Sequence, residues 1–132
     1  MIQRRHRAAI IAAALGLSAC AMQSSPPQPT TNYVPEPTTL SQDQIRNAMA
    51  GKSWSWASPK NKGVTIYAAD GTSLVEVTGK GTTTGSWSAK DGQLCESFAP
   101  APFLPKGAPM TCQPISGGGS SYRVGEATFT LQ

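Results

Sequence analysis

The residues with the most chemical potential are the seven carboxylates: Glu36, Asp43, Asp70, Glu76, Asp91, Glu96 and Glu126. Asp70 and Asp91 each precede a glycine, and Asp-Gly pairs form tight hairpin turns because glycine accepts positive φ. Glu76 and Glu96 fall on two predicted strands. Facing each other, they could serve as the acid and base of glycoside hydrolysis; the expectation for lone acids on short strands is an outward, solvated position. The one histidine, His6, lies in a basic N-terminal stretch that reads as a removable export leader. The exported body then has no imidazole to act as base, nucleophile activator or metal ligand. Gly117-Gly118-Gly119 lacks the lysine and helix of a phosphate-cradling loop and reads as a flexible turn. These residues point to a protein that is not an enzyme and holds no cofactor or metal.

Two groups could bind. Trp54, Trp56 and Trp87 would either line a ligand cavity or fill a small core. The run 99–110, A-P-A-P-F-L-P-K-G-A-P-M, carries four prolines, with Phe103, Leu104 and Met110 beside Lys106. Proline reduces the entropy such a loop loses on binding, and exposed apolar residues suit a partner surface. The competing reading is a lid that buries Phe103 and Leu104 over the body of its own domain.

The leader itself has three parts. Arg4, Arg5 and Arg7 open it, an uncharged apolar run follows from Ala8 to Ala19, and small residues lead to Cys20. The run is shorter than the ~20 residues a membrane-spanning helix needs. The sequence Leu17-Ser18-Ala19-Cys20 resembles the lipobox of bacterial lipoproteins. That resemblance implies cleavage of residues 1–19, acylation of Cys20 at sulfur and amine, and stable anchoring, since two chains already suffice. By the same resemblance to Gram-negative lipoproteins, Ala21 rather than aspartate after the cysteine implies an outer-membrane protein facing the periplasm. Three of the 11 basic residues lie in the leader, which leaves eight against seven acidic groups. No basic stripe remains to bind nucleic acid. Residues 20–39 form a proline-rich linker with little to bury, expected to stay extended.

With Cys20 acylated, Cys95 and Cys112 are left. An isolated pair in an exported chain reads as a disulfide, with two free thiols or a metal pair as alternatives.

The elements that must position these groups occupy residues 40–132. Ser41 and Gln44 form a capping box, Leu40 and Ile45 a hydrophobic staple, and Ile45, Ala48 and Met49 share one face. This predicts a helix from Gln42 to Ala50, stopped at Gly51 and placed either in one end of the body or across its outside. Eight short strands follow: 53–56, 64–67, 73–78, 82–89, 93–98, 111–115, 121–124 and 128–131. Their spacing, with Asp-Gly and Gly-rich turns, predicts a mainly β domain, an antiparallel barrel or sandwich of lipocalin-like form.

Gly51-Lys52-Ser53-Trp54-Ser55-Trp56, Asp70-Gly71-Thr72, Gly85-Ser86-Trp87, Leu94-Cys95 and Cys112 occur in an order that resembles a family of small exported bacterial proteins whose domain has no assigned function. The likeness runs from about Ile45 to Tyr122, and the chain departs from the family pattern after Cys112. It implies no catalytic residue. Ser116-Gly117…Tyr122 is more loosely similar to a segment of envelope barrels that inhibit lysozyme or secreted proteases. The functional expectation is a non-enzymatic outer-membrane lipoprotein. Its domain would bind another envelope component through 99–110, or a small ligand in a tryptophan-lined barrel, or inhibit a hydrolase.

Overall fold

The computed structural model describes Pro26, Pro27 and residues 38–132. The leader, Cys20 and almost all of the linker lie outside the described residues.

Helix α1 (Gln42–Met49) starts where the capping box requires. The Ser41 hydroxyl accepts from the Gln44 N–H at 3.2 Å, and the Gln44 side chain accepts from the Ser41 N–H at 2.8 Å. A third orphan donor of the first turn, the Gln42 N–H, reaches Asp91 Oδ1 at 2.8 Å. Asp91 thus both forms a hairpin turn and ties that turn to the helix. Alternating inward and outward residues then generate β1 (Lys52–Ala57), β2 (Lys62–Tyr67), β3 (Thr72–Val77), β4 (Gly81–Lys90), β5 (Gln93–Phe98), β6 (Ala108–Gly118), β7 (Ser121–Val124) and β8 (Ala127–Leu131). Each strand pairs antiparallel with the next, and β8 returns to β1 with Trp54 opposite Leu131 and Trp56 opposite Phe129. The result is a closed barrel, which removes both sheet edges.

Asp70 works as an expected turn former. Its Oδ1 accepts from the Thr72 hydroxyl at 2.7 Å and from the Thr72 N–H at 2.9 Å, and these bonds hold its carboxyl below the usual range. Gly71 takes φ +92° in the same turn.

Two expectations need correction. Strand β6 begins at Ala108, so Pro109 and Met110 belong to it and the connection from β5 is shorter than 99–110. The same strand continues through Gly117 and Gly118, which pair with Tyr122 and Ser121. Those glycines are ladder residues, because pairing with β7 outweighs their weak strand propensity; the turn is at Gly119-Ser120.

The helix plugs one end of the barrel. Ile45 and Met49 are fully buried and pack with Trp54, Tyr67, Trp87, Leu94 and Tyr122. Two aromatic pairs meet edge to face, Trp54 with Tyr122 and Tyr67 with Trp87, each at 5.4 Å between centroids. Backbone bonds Gly51 N–H to Tyr67 O and Gly92 N–H to Leu40 O, both 2.7 Å, fasten the plug. The β1–β2, β3–β4, β5–β6 and β7–β8 connections ring the opposite end, which α1 does not cover.

The Cys95–Cys112 disulfide joins directly opposed residues of β5 and β6. By alternation Cys95 points to the other side of the strand from inward-pointing Leu94 and Glu96, and it is buried there.

Candidate functional site

The bulky aromatic side chains are concentrated at the plugged end. Towards the open end the inward positions of β2 and β3 are Thr65 and Val75, which leave space. A cavity of ≈ 180 Å³ results. Trp56, Phe98 and Phe129 give it aromatic walls, Val75, Val124 and Ala127 aliphatic ones, and Ser58, Thr65 and Gln113 polar groups. Among the described residues, Glu96 is its one ionisable lining residue.

Local sequence explains the wall. In β1, Trp54 and Trp56 point inward together, but Trp54 enters the packed layer and Trp56 the layer above it. Trp56 stands over a glycine: a Cβ on Gly63 would lie 2.8 Å from Trp56 Cζ2 and 2.0 Å from the Glu76 carbonyl oxygen. Gly63 therefore admits the indole, as glycine inside a strand often marks such an approach. In β5, Leu94, Glu96 and Phe98 alternate inward. The register with β6 shifts between Glu96 and Phe98, a strand irregularity that re-aims side chains.

Glu96 is thus not outward and solvated, as its charge suggests. It sits half-buried opposite Trp87 on β4. Its Oε1 accepts a 2.7 Å hydrogen bond from the Tyr67 hydroxyl, the polar tip of the packed layer. Burial raises the Glu96 pKa, and the Tyr67 bond only partly opposes the effect. Burial, and then the adjacent Glu96 charge, push the Tyr67 phenol well above its usual value, so it remains a proton donor. Glu76 is exposed and outward on β3, so no carboxylate pair of the glycosidase kind forms with Glu96.

This environment has a measurable consequence. The folded state holds the Glu96 proton more tightly than the unfolded chain does. Stability from this group is therefore greatest below the ordinary 4.5 and falls as pH rises through the elevated folded value. Glu96→Gln keeps an oxygen acceptor for Tyr67 and removes the titration. Thermal melts from pH 4 to 8 should show the variant gaining Tm over the wild type as pH rises. Asp70 and the other carboxylates are common to both proteins and cancel in the difference. A difference that does not vary with pH would contradict this account of Glu96.

The remaining sequence candidates are dispersed. Trp54 and Trp87 belong to the packed layer. The Trp87 indole N–H donates to Ala68 O at 2.9 Å, whereas the buried indole nitrogens of Trp54 and Trp56 have no partner among the described residues. Phe103 is half-buried, its ring 3.8 Å from where a Cβ on Gly81 would stand. Leu104 is half-buried and its backbone closes a tight two-bond bridge with Ala101. Lys106 is exposed and Met110 is 49% exposed. None of these four lines the cavity. Among the described residues there is no group of three His, Cys, Asp or Glu side chains able to hold a metal. Sequence reading missed Glu96, Tyr67 and Phe98 as partners in one site. The signal was the period-2 phase of Leu94-x-Glu96-x-Phe98, which puts an acid on the apolar face.

No family profile, curated protein or solved structure matches this chain. The functional reading therefore rests on the cavity itself.

Proposed function

We propose that the domain is a small-ligand-binding barrel without catalytic activity, presented at the periplasmic face of the outer membrane by an acylated Cys20. The observation that carries the binding reading is the ≈ 180 Å³ cavity in the open half of the barrel, walled by Trp56, Phe98 and Phe129 around Glu96. An apolar cavity of roughly 150 Å³ admits a benzene-sized molecule. The ligand would accordingly be about one ring in size, with polar contacts at Glu96, Thr65 and Gln113 fixing its orientation.

Titration of the purified protein with benzyl alcohol, followed by the indole N–H resonances, tests this. Trp56 should shift saturably, with smaller changes at Trp54 and Trp87 in the packed layer. A folded protein whose Trp56 resonance is unmoved at saturating probe would overturn the reading.

A second reading draws on Met110, which is exposed on a strand that follows a proline-pinned connection carrying Lys106, also exposed. These two residues suit contact with an envelope protein. Met110→Ser with Lys106→Ser should remove such a partner from pull-downs without lowering Tm.

A further inference from the structure

Resting on that cavity reading, we propose that the ligand is a small organic cation, a single-ring amine or ammonium whose charged nitrogen meets Glu96 while its apolar body lies against Trp56, Phe98 and Phe129.

Three observations carry this. The cavity favours one sign of charge, because its one ionisable lining group among the described residues is an acid. Glu96 has one hydrogen-bond partner among the described residues, Tyr67 on Oε1, which leaves its second oxygen for a ligand. The walls present aromatic rings from three strands, β1, β5 and β8, and the negative faces of such rings attract cations. An ammonium accepted here would form a charge-assisted hydrogen bond among mostly apolar walls, and a low local dielectric strengthens such bonds.

The surrounding charges do not offer an internal substitute. Trp87 faces Glu96 from β4 and Thr111 from β6, neither charged, and Tyr67 on β2 stays neutral. The cavity linings from β1, β3, β7 and β8 bring no ionisable side chain. Lys60, Lys62 and Lys80 are exposed around a separate depression at the rim, outside the cavity. The elevated Glu96 pKa fits a carboxyl that lacks a counter-charge until a cation arrives.

The test compares benzylamine with benzyl alcohol, which share one shape and differ in charge. Binding of both to the purified protein is measured by calorimetry at pH 5 and pH 7.5. Benzylamine should bind about tenfold more tightly than the alcohol at pH 7.5, a single charge-assisted contact. That preference should shrink towards the lower pH, because burial raises the Glu96 pKa and favours its neutral form. In Glu96→Gln, shown to be folded by circular dichroism, the amine-to-alcohol ratio should fall to about one. Equal affinity for the two probes, or a preference that persists in Glu96→Gln, overturns the cation assignment while the cavity stands. Binding of neither probe by folded wild type overturns the cavity reading and this inference with it.

Discussion

Trp87→Ala is expected to destabilise the domain by about 3–5 kcal/mol, as removal of a buried tryptophan does. Domains are stable by only about 5–15 kcal/mol, so the variant should be close to unfolded. Trp87 links the β2–β3 turn, Tyr67 and α1. Its indole N–H holds the Ala68 carbonyl of the β2–β3 turn, and its backbone N–H bonds Gly71 O at 2.8 Å in the same turn. Its ring meets Tyr67 edge-on, and the Arg46 guanidinium of α1 stacks 5.9 Å from its centroid. Loss of the ring would free Tyr67, and with it the hydroxyl that orients Glu96. The comparison is Trp56→Ala, at a half-buried residue of the cavity wall, which should cost clearly less. Urea denaturation of both variants decides the matter. Equal midpoints would mean that the barrel lacks a packed layer distinct from an open one.

The second large effect is loss of the disulfide. Cys95 and Cys112 are 17 positions apart, and closing a loop of about that length is worth roughly 3 kcal/mol in the chain-entropy model. In a domain of this size that corresponds to a fall in Tm of about 12–24 °C. The bond also ties β5 to β6 beside Glu96, where the register between the strands shifts. Cys95→Ser with Cys112→Ser should therefore lower Tm and also broaden resonances from residues 96–111. A double variant that melts within two or three degrees of the wild type, in ~1 kcal/mol of stability or less, would show that the β5–β6 ladder holds the connection without help.

Several local features were legible because their causes are local. Ser41 and Gln44 form a capping box through atoms three residues apart. Asp70-Gly71 makes its turn through the carboxylate of one residue and the backbone freedom of the next. Trp54 and Trp56 share a face because strand side chains repeat every two residues. The cysteine pairing also follows from little more than count, since residues 40–132 hold two cysteines. The reading of Cys20 as a lipid anchor rests on residues 17–20 and lies outside the described structure.

What could not be read is what depends on residues far apart in the chain. A run of strands with regular turns fits a sandwich as well as a barrel; closure depends on β8 finding β1, with Thr130 opposite Ser55. The helix had two possible berths, and the cluster of Trp54, Tyr67, Trp87 and Tyr122 at one end of the barrel gave Ile45, Ala48 and Met49 the surface to bury against. Gly117 and Gly118 looked like a turn until β7 supplied partners. Glu96 looked solvated because a carboxylate avoids burial unless something satisfies it, and Tyr67, 29 residues earlier, does so. Sequence by itself determined the helix cap, the Asp-Gly turns and the run of short strands, all governed by neighbours within a few residues. Only tertiary structure decided barrel closure, the plugged end and the cavity, because those depend on which distant side chains compete for one interior volume.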